Sequence, residues 1–128
     1  MIEEDYVSFE VAKLLKEKGF DDEYTNAFYD KTGNLYFIDL LGDLSEHPNN
    51  DTDIAASTLY VVMKWLREVH NIFIDICVPA TRGKYFLFNL YDIAPEEEWE
   101  MLPDDECTYS TYEQTAEAAI KYCLENLI

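Results

Sequence analysis

The sequence predicts an α+β fold: a mainly antiparallel sheet of about four strands with about three helices. Three segments carry apolar residues at helical spacing, and between them lie short runs rich in β-branched and aromatic residues. Gly, Pro and Asn separate neighbouring runs, which favours tight turns and antiparallel pairing. The chain has 128 residues, so we predict one acidic domain over residues 1–128.

The first helix is predicted over residues 9–19, with Ser8 as its cap. A serine hydroxyl accepts a hydrogen bond from a free backbone N–H of the first turn. Gly19 suits the left-handed conformation that ends many helices. The apolar side of this helix is formed by Val11, Ala12, Leu14 and Leu15.

A hairpin follows, with strands over residues 24–30 and 35–41 joined by a turn at Gly33. Glycine readily takes the positive φ that such turns require. Residues 42–56 are polar and rich in turn formers, so we predict a long surface loop or an approach to the central helix.

Residues 57–78 predict a central helix followed by a buried strand. Ser57 or Thr58 can cap the helix, and Asn71 can end it in the left-handed conformation. The helix stripe consists of Leu59, Val62, Met63, Leu66 and Val69. The run 72–78, IFIDICV, is nearly continuously apolar, which favours a strand covered on both faces.

The C-terminal part predicts a strand over 85–91, an irregular acidic segment over 92–110, and a helix over 111–126. Ser110 and Glu113 have the spacing of a capping box. The stripe of the last helix consists of Tyr112, Ala116, Ala119, Ile120, Cys123, Leu124 and Leu127.

The two halves share a pattern. Residues 11–17, VAKLLKE, resemble residues 62–68, VMKWLRE, and two strands follow each segment. One hypothesis is a duplicated helix–strand–strand unit. The alternative is that amphipathic helices simply resemble each other.

The charge limits the partners. Twenty-seven acidic residues stand against nine basic ones, for a formal net charge of −18. Such a field repels nucleic acid and anionic lipid, and it attracts basic protein surfaces. We therefore predict no direct nucleic-acid binding. Solubility alone is the competing explanation of the acidity.

Location follows from the N-terminus, the hydropathy and the cysteines. MIEEDY carries acids where a signal peptide carries bases, and no apolar run reaches the length of a membrane span. Cys77, Cys107 and Cys123 form no CxxC pair, and their odd number argues against a disulfide framework. We predict core positions for Cys77 and Cys123, no membrane association and a cytoplasmic location.

The candidate chemical groups are few. His47 and His70 lack a metal-ligand spacing, and Asp51 with Asp53 only begins a calcium-loop pattern. Three polar residues interrupt apolar strands and would suit acid–base chemistry if two of them met in a cleft: Asp39, Asp75 and Asn89. We predict no catalytic, cofactor or metal site, and an enzyme remains an alternative.

A protein-binding site is the favoured hypothesis, through the aromatic strands or through the acidic segment around Trp99. The proposed partner-binding residues are Glu96, Glu97, Glu98, Trp99, Asp104, Asp105 and Glu106. Trp99, Met101 and Leu102 are expected to hold this segment against the body. A nucleic-acid mimic, which would occupy a DNA-binding host protein, is the alternative, and rows of acids on one face would favour it.

The run 64–72, KWLREVHNI, resembles a family of small proteins carried by phages and mobile elements of Bacteroides-type gut bacteria. Residues 14–20, LLKEKGF, and residues 111–113, TYE, carry the same resemblance, which covers nearly the whole chain. Ala56-Ser57 departs from the Ala-Pro expected there. The family brings no activity and no catalytic residues to carry over. The resemblance implies a bacterial cytosolic setting.

Overall fold

The computed structural model describes residues 2–38, 53–79, 83–104 and 107–128. The chain divides into two compact units, Met1–Thr58 and Leu59–Ile128. The predicted α+β class is confirmed. The described residues form three helices and six strands, in two three-stranded antiparallel sheets. The expected single sheet of about four strands is therefore wrong. The prediction of one domain stays a prediction.

The unit Met1–Thr58 contains helix α1 and one sheet. The helix α1 spans Phe9–Glu17, and the strands are β1 (Ala27–Tyr29), β2 (Leu35–Phe37) and β3 (Ile54–Ala55). Their order in the sheet is β2-β1-β3, so the third strand pairs with the first. The predicted strands 24–30 and 35–41 are thus shorter among the described residues.

The ends of α1 are formed as expected. The Ser8 hydroxyl accepts a 3.2 Å hydrogen bond from the Val11 N–H. Gly19 has a φ of 83°, and the Phe20 N–H donates to the Leu15 carbonyl oxygen across the helix end. Val11, Ala12 and Leu15 are buried, which confirms most of the predicted stripe.

The unit Leu59–Ile128 contains two helices and the second sheet. Its helices are α2 (Leu59–Val69) and α3 (Tyr112–Asn126), and its strands are β4 (Ile72–Cys77), β5 (Leu87–Asp92) and β6 (Glu100–Leu102). The strand order is β4-β5-β6, a simple meander. The segment 92–110 is therefore not wholly irregular, because β6 lies within it.

The predicted stop of α2 is confirmed. Asn71 has a φ of 57°, and the His70 N–H donates to the Leu66 carbonyl oxygen at 3.1 Å. Leu59, Val62 and Leu66 of the stripe are buried, whereas Val69 is largely exposed. The Ser57 hydroxyl donates to the Asp22 carboxylate at 2.6 Å, and the cap predicted at Ser57 or Thr58 stays a prediction.

The cap of α3 is Thr111 and not the predicted Ser110. The Thr111 side chain accepts a 3.0 Å hydrogen bond from the Gln114 N–H, while the Ser110 hydroxyl donates to the Gln114 side chain. The capping box with Glu113 is thus wrong by one residue. The buried face of α3 comprises Thr115, Ala116, Ala119, Ile120, Cys123 and Leu124, whereas Tyr112 is exposed.

Candidate functional site

The β4-β5-β6 sheet has one buried face and one open face. Ile72, Ile74, Phe88 and Leu90 share the buried face. The Phe88 ring lies 6.3 Å from the ring of Tyr122 of α3, which places that helix on this side. The second face of strand 72–78 is half-buried, so the expected coverage on both faces is met only in part. Its apolar content is high because Phe and Cys occupy a face that is only partly exposed.

We define the open face by the residues that alternate with the buried ones: Phe73, Asp75, Cys77, Leu87, Asn89, Tyr91 and Met101. All of them are half-buried except Met101, which is 62% exposed. The register aligns Phe73, Tyr91 and Met101 in one row across the three strands. Side chains aligned in this way contact each other across a sheet.

Trp99 lies just before β6 and contacts this row. Its ring lies 5.9 Å from that of Phe73, and the Trp99 side chain is nevertheless 63% exposed. Trp99 thus contacts the sheet as predicted, although most of its side chain is exposed, whereas Met101 is 62% exposed and does not fit the prediction. Of the three residues, only Leu102 is half-buried.

The acidic loop comprises residues 93–99. Its last residue, Trp99, brings the loop next to the open face. Glu96, Glu97 and Glu98 are exposed. The loop begins in a turn, where the Asp92 carboxylate accepts a 3.0 Å hydrogen bond from the Ala94 N–H and the Ala94 carbonyl accepts from the Glu97 N–H. Of the remaining predicted partner-binding residues, Asp104 is half-buried, and 105 and 106 lie outside the described residues.

Two of the polar residues that interrupt the apolar strands meet on the open face. Asp75 and Asn89 are direct partners in the register, so a carboxylate faces an amide and not a second carboxylate. The Asn89 amide also lies 3.6 Å from the Cys77 sulfur. Burial, and secondarily the charge of Asp75, raises the pKa of the Cys77 thiol. A raised pKa keeps the thiol protonated and unreactive at neutral pH. Asp39 lies outside the described residues.

Among the residues that the structure describes, neither the histidines nor the calcium-like pattern forms a metal centre. The His70 ring packs edge-on against Trp65 at 4.6 Å, at the end of α2. Asp53 accepts a hydrogen bond from the Tyr36 hydroxyl. His47 and Asp51 lie outside the described ranges. Within those ranges, no group of three His, Cys, Asp or Glu residues is arranged to hold a metal ion.

The sequence pointed to Trp99 and, through the aromatic strand 85–91, to Tyr91, but not to Phe73 on the open face. The signal for this face was present in the alternation along β5, where Leu87, Asn89 and Tyr91 alternate with the buried Phe88 and Leu90. That alternation is weak because aromatic and aliphatic residues occupy both faces.

Comparison of the chain with protein-family models, with curated proteins and with solved structures gives no match. None of the described helices is both long enough and apolar enough to cross a membrane.

Proposed function

We propose that this protein is a small protein-binding module. Its binding surface is the open face together with Trp99 and the acidic loop. The observation that carries the proposal is the exposure of Met101, at the end of an ordered row of apolar side chains, and of Trp99, which contacts that row. Tryptophan and methionine are enriched at protein–protein interfaces, and buried aromatic anchors contribute much of their binding energy.

The charges around this surface indicate which kind of partner would fit it. Glu96, Glu97 and Glu98 are exposed in the acidic loop beside Trp99, and Asp75 lies on the open face. The strands β4 to β6 and the acidic loop contain no Lys or Arg. A fitting partner therefore presents an apolar centre with basic residues around it, since opposite charges speed encounter and select partners.

The same field disfavours direct binding to nucleic acid, because phosphate contacts require basic side chains. We extend the proposal to a bacterial cytoplasm and to a phage or mobile element. This setting is supported by the resemblance of the run 64–72 and by the cysteines 77, 107 and 123, all of which are free thiols.

The proposal is tested by affinity capture from a lysate of a Bacteroides-type gut bacterium. The tagged protein, its Trp99→Ala variant and a Tyr60→Ala control are compared at low and high salt, and captured proteins are quantified by mass spectrometry. Tyr60 suits the control because it is an aromatic residue of α2 that is 68% exposed. The proposal expects a partner that the original protein and Tyr60→Ala retain at high salt, and that Trp99→Ala loses.

Three other outcomes would change the interpretation. The nucleic-acid mimic would be favoured if the original protein and both variants equally captured a basic DNA-binding protein, and only at low salt. Long-range electrostatic binding is screened by salt. A partner that Trp99→Ala and Tyr60→Ala lose equally would contradict the assignment of the open face. Failure to capture any specific protein would count against both binding hypotheses and would reopen the enzyme alternative.

A further inference from the structure

The unit Met1–Thr58 contains a cleft of about 450 Å³. Its walls come from the C-terminal half of α1, from the segment 19–23 and from β3. Ligand sites usually have volumes of this order and combine an apolar floor with a few polar groups. The cleft uses none of the residues of the open face.

The floor of the cleft is apolar. Leu15 is buried at the base, and Ile54 of β3 and Phe28 of β1 are half-buried. The Phe28 ring is stacked on the ring of Tyr36, its partner in the register, at 6.0 Å. This stacking fixes the orientation of a ring that lines the cleft.

The rim of the cleft is acidic. Asp21, Asp22, Glu23 and Asp53 line it, against a single basic residue, Lys16. Two of these carboxylates are held in place by neighbours. Asp22 accepts hydrogen bonds from the Ser57 hydroxyl and the Tyr24 N–H, and Asp53 accepts one from the Tyr36 hydroxyl. Asp21 and Glu23 are exposed.

We propose that this cleft binds an arginine side chain presented by a peptide segment of a protein. The guanidinium group can pair with rim carboxylates in a planar, two-bond geometry and can stack on the Phe28 ring. The methylene stem matches the apolar floor at Leu15 and Ile54. The volume exceeds that of one side chain, so a flanking residue of the peptide can enter as well. Anionic ligands are excluded by the four carboxylates.

The test is NMR titration of the full ¹⁵N-labelled chain with acetyl-Gly-Arg-Gly-amide. The expected result is a saturable shift of the backbone amides of Gly19, Phe28 and Ile54. The same peptide with citrulline, which has nearly the same shape but no charge, should bind about tenfold more weakly. A lysine peptide should fall between the two, because an ammonium group lacks the planar fork.

Variants separate a built site from general attraction to an acidic protein. Asp21→Asn with Glu23→Gln should weaken arginine binding by about fivefold or more. Lys16→Met should strengthen it, because the competing cation is removed. The matched control, Glu3→Gln with Glu4→Gln, removes the same charge from exposed positions outside the cleft and should leave binding unchanged. The spectra themselves confirm that each variant is folded.

Three results would overturn the inference. One is equal binding of the citrulline and arginine peptides. Another is an equal loss of binding in the cleft variant and in the control, which would indicate charge attraction alone. The third is a set of shifts that omits Gly19, Phe28 and Ile54. Each of these concerns the cleft only, and none bears on whether Trp99 binds a partner.

Discussion

The ring of Trp99 lies 5.9 Å from the ring of Phe73 at an interplanar angle of 41°, and the Trp99 side chain remains 63% exposed. One part of the indole is thus positioned by the sheet, and the larger part faces solvent. An aromatic side chain already held in place loses little conformational freedom when a partner covers it. This relationship suits a binding anchor better than a core residue.

The exposure of Trp99 predicts that its removal hardly affects folding. Trp99→Ala should lower the free energy of unfolding by about 1 kcal/mol or less, since only the contact with Phe73 is lost. Leu90→Ala, at a fully buried position of the same sheet, should lower it by about 2–5 kcal/mol. Urea denaturation followed by circular dichroism measures both values. Similar losses in the two variants would show that Trp99 is a structural residue.

The cap of α3 gives a second prediction. Thr111→Ala should destabilise the protein by about 1 kcal/mol, because the Gln114 N–H loses its acceptor. Ser110→Ala should change stability by only a few tenths, because the Ser110 hydroxyl contacts an exposed side chain. Thermal or urea unfolding of the two variants compares them directly. A larger effect at Ser110 would restore the capping box expected from the sequence.

The β1–β2 turn gives a third prediction. Gly33 has a φ of 88°, and a Cβ atom there would lie 3.0 Å from Cδ2 of Phe9, whose ring is itself packed on Tyr29 at 5.5 Å. Gly33→Ala should therefore cost more than the roughly 1 kcal/mol of left-handed strain alone.

Gly19→Ala is the matched control for this substitution. Gly19 has a similar φ of 83° but has nothing within 4 Å of its Cβ position, so only the strain applies. The difference between the two free energies of unfolding, from urea titrations, isolates the contact with Phe9. Equal destabilisation would show that Phe9 shifts without cost.

Cys123 gives a prediction about pH. Burial raises the pKa of its thiol from 9.0 to about 12. Between these values the unfolded chain has released the thiol proton and the folded chain still holds it. The contribution of the protonated Cys123 thiol to the free energy of unfolding is therefore fully present below about pH 9. It is lost as the pH rises toward 12.

The Cys123→Ala variant separates this effect from other groups that titrate at high pH, among them Tyr36, whose pKa burial also raises to about 12. Urea unfolding at about pH 8 and about pH 10.5 should show a smaller loss of stability in the variant than in the original protein. An unchanged pH dependence would mean that the thiol ionises as easily in the folded protein as in the unfolded one.

The helices were the most predictable part of the fold. Each has a stripe of residues spaced three and four apart, and a boundary residue with a clear physical role, such as Ser8 for α1 or Asn71 for α2. The errors are at the stripe margins. Val69 and Tyr112 fit the spacing but are exposed, because each lies at a helix terminus where the covered surface ends.

The short strands were not predictable. β3 has two residues and β6 has three, which is too short for an alternation to be recognised. Both pair by backbone hydrogen bonds with longer strands, and this pairing depends on tertiary structure rather than on local sequence. Because these two strands were missed, the sequence predicted one sheet of about four strands, whereas the structure has two sheets of three.

The candidate site was predictable only in part. An aromatic residue among acids indicated Trp99, but its neighbour Phe73 lay in a run that looked uniformly buried. Which face of β4 the helices leave open depends on the packing of α3 against Phe88, and no local pattern contains that information. The cleft proposed to bind arginine had no sequence signal, because its floor and rim come from separate segments of the chain.

The different strand orders of the two sheets imply different routes of assembly. The β5–β6 pair closes the short span from Asp92 to Glu100, whereas the β1–β3 pair must close the span from Tyr29 to Ile54. By loop-closure entropy the longer span costs roughly 1 kcal/mol more. We therefore expect β3 to join its sheet late and to detach early, so that the Ala56 amide, which is bonded to Ala27, exchanges with solvent before the amides of the β4–β5 ladder. The wall of the cleft would then be the part of its unit that opens first, and a ligand held there would slow that opening.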